Sequence, residues 1–144
     1  MGKHVFETKL QRKIKAPLER VWQAWADAAQ WSVWVQMNMS NNFSVGKKFS
    51  NGKNEGGEYL AIAYLKKISF TWEMKRYTPG SIVTIHFEQD ENITICTLTH
   101  HYLQTQSDLQ DARLGWSWAM DSLQSFMENN KPLSWEEWEA KHSG

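Results

Sequence analysis

Leu109, Ala112, Trp116, Met120, Leu123 and Met127 recur at helical spacing, so the stretch from Leu109 to about Asn129 predicts a helix with one continuous apolar face. A face that bulky has to be buried against a second layer of structure. Upstream, short runs alternate with period two and are separated by turn signals, which makes that layer a sheet. Residues 5–14 set Phe6, Thr8, Leu10, Arg12 and Ile14 on one side and Glu7, Lys9, Gln11 and Lys13 on the other, the pattern of a half-buried strand. Pro17 suits the first turn of a helix, and Leu18, Val21, Trp22 and Trp25 follow as an apolar stripe. A second short helix is expected over about Ala28 to Val35, carrying Trp31, Trp34 and Val35.

Strands and tight turns fill the middle of the chain. Phe43 to Ser50 reads as a strand with a bulge or bend at Gly46, ending at the hairpin signal Asn51-Gly52. Gly56-Gly57 opens a strand over Glu58 to Leu65, and Ile68 to Tyr77 alternates Ile68, Phe70, Trp72 and Met74 with polar residues. Thr78-Pro79-Gly80 is a turn. Ser81 to Glu88 then presents Val83, Ile85 and Phe87 on one face, while Ile93 to Leu103 presents Cys96, Leu98 and His100. Pro132 and the capping box Ser134-Trp135-Glu136-Glu137 predict a short terminal helix. The expected class is therefore α+β, with about six strands, two short helices after the first strand and one long helix near the end.

Composition narrows the function classes. Sixteen basic residues balance 16 acidic ones, which leaves no charge excess for non-specific binding to nucleic acid or an anionic membrane. The single cysteine, Cys96, cannot form an internal disulfide. The start, Met1-Gly2-Lys3-His4-Val5-Phe6, has no signal-peptide apolar core, and the apolar run Tyr59 to Leu65 falls far short of the ~20 residues of a membrane span. A soluble, cytoplasmic protein of one domain over residues 1–144 is expected.

Six segments stand in order along the chain: Ile14-Lys15-Ala16-Pro17-Leu18-Glu19-Arg20-Val21-Trp22, Gly57-Glu58-Tyr59-Leu60, Ile68-Ser69-Phe70-Thr71-Trp72, Val83-Thr84-Ile85-His86-Phe87, Thr94-Ile95-Cys96-Thr97-Leu98 and Gly115-Trp116-Ser117-Trp118. Taken together they resemble the START-like (SRPBCC) superfamily, and within it the homologues of the heat-shock protein 90 ATPase activator, with polyketide cyclases as relatives. The resemblance covers about residues 6–128 and leaves 131–144, with Trp135 and Trp138, as a C-terminal extension. It implies a helix-grip fold, in which a curved antiparallel sheet wraps the long C-terminal helix around an elongated apolar cavity.

No motif for nucleotide or metal chemistry appears. Phosphate-loop and dinucleotide fingerprints are missing, and so are C-x-x-C and H-E-x-x-H spacings. His100 and His101 are adjacent on a strand and leave opposite faces. No metal or other cofactor is expected, and Cys96 reads as a small core residue. Gly115-Trp116-Ser117-Trp118-Ala119 echoes a nucleophile elbow but lies within a helical pattern, where Gly115 reads as allowing close packing beside an inward Trp116.

The aromatic set remains. Phe70, Trp72, Phe87, Trp116 and Met120 fall on inward faces, as does Trp25 of the first helical stripe, and together they could form either a packed core or the wall of an apolar pocket. Arg12 and His100, each on an otherwise apolar face, are the candidate polar groups of such a pocket. For Arg12 three roles stay open: an anchor for a ligand oxygen, a member of an internal ion pair, or a stem that reaches the rim. The leading expectation is non-catalytic binding of a small hydrophobic, lipid-like or aromatic molecule. One alternative is a cyclase-like enzyme with His100 as general base and Arg12 stabilising an enolate oxygen. The other is a chaperone-associated stress protein, with weak stimulation expected because a chain beginning at this strand has no room for the activator's separate N-terminal domain.

Overall fold

In the computed structural model, which describes residues 5–75, 77 and 79–142, the order of elements is β1 (Phe6–Ile14), α1 (Leu18–Ala26), α2 (Ala28–Val35), β2 (Ser40–Asn41), β3 (Lys48–Ser50), β4 (Gly56–Ala63), β5 (Lys67–Thr71), β6 (Ile82–Asp90), β7 (Ile93–Leu103), α3 (Gln106–Asn129) and α4 (Trp135–His142). Met1 to His4, Thr78 of the turn read at Thr78-Pro79-Gly80, and Ser143-Gly144 lie outside the described residues, as does Arg76. The seven strands form one antiparallel sheet in the order β1-β7-β6-β5-β4-β3-β2. One buried face of that sheet receives α3, which also packs against α1 and α2. The antiparallel sheet packed on the long C-terminal helix is the helix-grip architecture that the resemblance implies.

The strand count differs from the expected six because the stretch read as Phe43 to Ser50 does not stay extended. Lys47 N–H donates to the Ser44 carbonyl at 3.0 Å and Gly46 takes φ +85°, so 42–47 turns, and only Lys48–Ser50 pairs with β4. The extra strand is the two-residue β2, paired with β3. The hairpin signal at Asn51-Gly52 is met by a longer loop, 51–55. There the Asn51 side chain accepts from Lys53 N–H at 3.0 Å, and Gly52 and Asn54 take φ +81° and +61°. The strand read over Ile68 to Tyr77 leaves the regular ladder after Thr71, although Trp72 N–H still donates to the Ser81 carbonyl at 3.0 Å.

Gly56 and Gly57 are required by close approach. A Cβ at Gly56 would stand 1.9 Å from the Phe49 carbonyl oxygen, and one at Gly57 would stand 1.9 Å from that of Thr71. These glycines let β3, β4 and the end of β5 close together over Phe49 and Tyr59, both buried.

The long helix starts where the Thr105 hydroxyl accepts from Asp108 N–H at 2.9 Å and stops at Asn130, which is left-handed at φ +55°. Its predicted stripe, from Leu109 to Met127, is buried throughout. The terminal helix is capped as the sequence predicts: Glu137 N–H donates to Ser134 Oγ at 3.1 Å and Ser134 N–H donates to Glu137 Oε1 at 3.3 Å.

Because backbone oxygen cannot move aside without losing the ladder, Gly57→Ala should cost about 2–3 kcal/mol, the scale of overpacking in a tight site. A urea unfolding midpoint unchanged from the wild type would contradict this account of β4.

Candidate functional site

Between the sheet and α3 the tryptophans touch one another. Trp25 lies 4.7 Å from Trp34 and 6.3 Å from Trp116, measured between ring centroids, and Trp116 lies 4.9 Å from Trp72. Phe70 joins through Trp72 at 6.0 Å and through Trp31 at 6.0 Å. Trp25, Phe70 and Met120 are buried in this seam. Phe87 is buried farther along the sheet against Trp22, at 5.1 Å.

His100 stands at the end of the seam. Trp116 Nε1–H donates to His100 Nδ1 at 3.0 Å, and the indole nitrogen can only donate. The imidazole proton therefore sits on Nε2, 2.9 Å from Ser81 Oγ, and the serine hydroxyl is left to donate to the Trp72 carbonyl at 3.2 Å. Burial pushes His100 down to about 4, His101 adds to the shift and Asp108 opposes it. A proton on Nδ1 would face the indole N–H directly, so the chain of bonds requires neutral His100. Burial likewise pushes the Cys96 thiol up to about 12, which leaves it a neutral core group.

Arg12 is paired within the protein. Its Nε lies 2.7 Å from Asp121 Oδ1, and the other Asp121 oxygen accepts from Trp138 Nε1 at 2.9 Å. One carboxylate on α3 thus holds both β1 and α4. The C-terminal segment is tied down again where Trp118 Nε1–H and Gln36 Nε2–H both donate to the Leu133 carbonyl, at 2.8 and 2.9 Å. Ser122 Oγ donates to the Trp34 carbonyl at 2.7 Å and accepts from Leu133 N–H at 3.1 Å.

An open cleft of about 360 Å³ lies between α3, the end of α2, the segment after β5 and the start of α4. Trp72 and Trp116 form part of its wall, so two of the eight residues singled out from the sequence meet there. Trp25, Phe70, Phe87, Met120, Arg12 and His100 do not line it. The rest of the lining is Val35, Met37, Tyr77, Asp111, Leu114, Gly115, Trp118, Ala119 and Trp135. The sequence signal for the missed wall lies in apolar residues off the main stripe: Leu114 and Trp118 stand one turn apart beside it, and Trp135 sits in the extension. Gly115 is corrected by the geometry. A Cβ there would meet nothing within 4 Å, so it serves no close packing, and its absent side chain is cleft space.

A second groove, about 410 Å³, lies over β2, β3 and β4, with Asn41, Lys48, Ser50, Glu55 and Glu73 among its lining residues. Glu55 is already occupied by the Asn51 amide at 3.0 Å and by Lys75 N–H. Among the described residues no three His, Cys, Asp or Glu side chains gather to hold a metal ion, and no helix is long and apolar enough to cross a membrane.

Fold and seam together define a START-like protein of the helix-grip class. Residues 15–128 match the family described as Activator of Hsp90 ATPase homolog 1-like protein, and the chain belongs to that family. No curated protein sequence matches it at a significant level. Among solved structures, CalU16 from Micromonospora echinospora is 19% identical with a TM-score of 0.76, the match covering 95% of this chain and 81% of that one. The Aha1 dimer from Colwellia psychrerythraea is 20% identical with a TM-score of 0.74, covering 85% and 96%. PFC0360w from Plasmodium falciparum, described as an HSP90 activator, is 24% identical with a TM-score of 0.70, covering 81% and 89%. At these identities the likeness is one of fold.

The His100 chain has a pH signature. Its folded value near 4 lies below the ordinary 6.5, so above pH 6.5 neither folded nor unfolded chain is protonated there and the group has no effect. Between pH 6.5 and 4 only the unfolded chain takes the proton, so stability falls with pH by about 1.4 kcal/mol per unit, reaching about 3 kcal/mol. His100→Gln should flatten that part of the stability–pH curve; parallel curves for the two proteins would refute the assignment.

Proposed function

We propose that this protein binds a small apolar or amphiphilic molecule in the cleft beside Trp72 and Trp116, without covalent chemistry. The observation that carries the reading is Gly115. A glycine in the middle of a helix costs about 0.5–1 kcal/mol against alanine, and here no neighbour demands it. What the missing side chain leaves is room, between rings that belong to the core on one side and to the C-terminal segment on the other.

The same geometry favours binding over the cyclase-like alternative. His100 has both ring nitrogens engaged inside the protein and is fully buried. Arg12 is committed to Asp121. Neither reaches the cleft, so the pair singled out for enolate chemistry has no access to a guest held there. A pocket of apolar walls with few polar groups is the usual form of a small-molecule site.

Gly115→Ala should raise stability by about 0.5–1 kcal/mol through helix propensity alone. Gly115→Phe should fold, because the new ring enters open space, and should abolish binding of the neutral probe N-phenyl-1-naphthylamine. In the wild type that probe should quench tryptophan emission, and at 100 times its dissociation constant it should add about 2.7 kcal/mol of stability. Equal probe binding by folded Gly115→Phe would remove the cleft as the site.

A further inference from the structure

The charge and ring chemistry of the cleft select among guests more narrowly than its size does. Its wall includes Trp72, Tyr77, Trp116, Trp118 and Trp135, and among the described lining residues the one charged side chain is Asp111. Two of those indoles have their N–H groups turned to the protein: Trp116 donates to His100 and Trp118 donates to the Leu133 carbonyl. What these two rings leave for a guest is carbon and π surface, whose faces carry partial negative charge. An anionic guest would meet that surface and the Asp111 carboxylate with no lysine, arginine or histidine among the described lining residues to receive it. The guanidinium nearest in the sequence reading to such a role, that of Arg12, is held by Asp121.

We propose that the cleft takes an organic cation: an ammonium group on an apolar body, with the charge over the indole faces and toward Asp111 and the body along Val35, Met37 and Leu114. This rests on the cleft being the binding site and names the class of ligand it binds. Cation–π attraction over tryptophan grows as the site is desolvated, and the partly exposed Trp118 and Trp135 offer ring surface to a guest beside the nearly buried Trp72 and Trp116. Asp111 is exposed at the mouth, where a carboxylate attracts a cation on entry and does not have to be desolvated when the cleft is empty. Trp135 comes from residues beyond the family match at 15–128, so one wall of this cage belongs to the extension that this chain carries.

Three soluble guests with one phenylalkyl body separate the charge classes: 4-phenylbutylammonium, 4-phenylbutan-1-ol and 4-phenylbutanoate. Each is titrated against the full chain by tryptophan fluorescence and by displacement of N-phenyl-1-naphthylamine. The expected order is cation first, by fivefold or more over the alcohol, with the carboxylate weakest. Asp111→Asn, on an exposed position, should weaken the cation threefold or more and leave the alcohol unchanged. An alcohol or carboxylate that binds as tightly as the cation, or an Asp111→Asn protein that binds the cation as the wild type does, overturns the cation assignment while probe binding keeps the cleft. If neither the probe nor any of the three guests binds, the cleft fails as a site and the cation assignment falls with it.

Discussion

Trp116 is the residue on which the core of this protein and the wall of its cleft both depend. Its indole packs against Trp25 and Trp72 in the seam between sheet and helix, and its N–H is received by His100 on β7. That single hydrogen bond sets the imidazole tautomer, which sets the donor direction at Ser81, which ties the segment after β5 to the residue before β6 through the Trp72 carbonyl. A buried polar chain of this kind is stabilising only when every member is satisfied, and here each donor has an acceptor. Trp72, held through its own backbone, then has its ring presented beside Trp116 at the cleft. The wall of the cleft is the outer side of a core interaction.

The C-terminal segment is joined to that core by polar bonds made at the helix surface. Asp121 takes Arg12 from β1 with one oxygen and Trp138 from α4 with the other, and Ser122 links Trp34 to Leu133 one residue along. These contacts fix Trp135 where it completes the cleft. Its ring also stacks in a tilted arrangement on Trp138 at 5.3 Å and edge-on to Trp118 at 6.1 Å, so the segment presents a small aromatic layer of its own.

The elements that periodicity described well are those with one dry and one wet face. β7 has the predicted bounds, Ile93–Leu103, because Cys96, Leu98 and His100 alternate with residues that remain partly exposed. The long helix and the Ser134 capping box were legible for the same reason: both signals act within one or two turns of chain. Phe43 to Ser50 does not form the single strand its pattern predicts because Gly46 and the local bonds of Ser44 and Lys47 turn the backbone, and pattern alone does not weigh a turn against an edge strand. Of the candidate site, Trp72 and Trp116 are legible as inward residues, whereas Trp118 and Trp135 stand out in the sequence only as apolar residues off the main stripe, and their spacing from Tyr77 does not show that the three share one wall.

By itself the sequence determined the class of fold, the inward faces of strands and long helix, and the presence of many rings to be packed against one another, since all of these follow from the spacing of apolar side chains along the chain. Only the tertiary structure decided which rings were used up in the seam and which were left at a surface. It also decided that Arg12 meets Asp121, a partner 109 residues away, and that Gly115 faces empty space. The physical reason is range. Periodicity and capping are local, but a cleft and an ion pair exist only where distant segments converge, and nothing in the spacing of Arg12, Gly115 or Trp135 carries the distance between them.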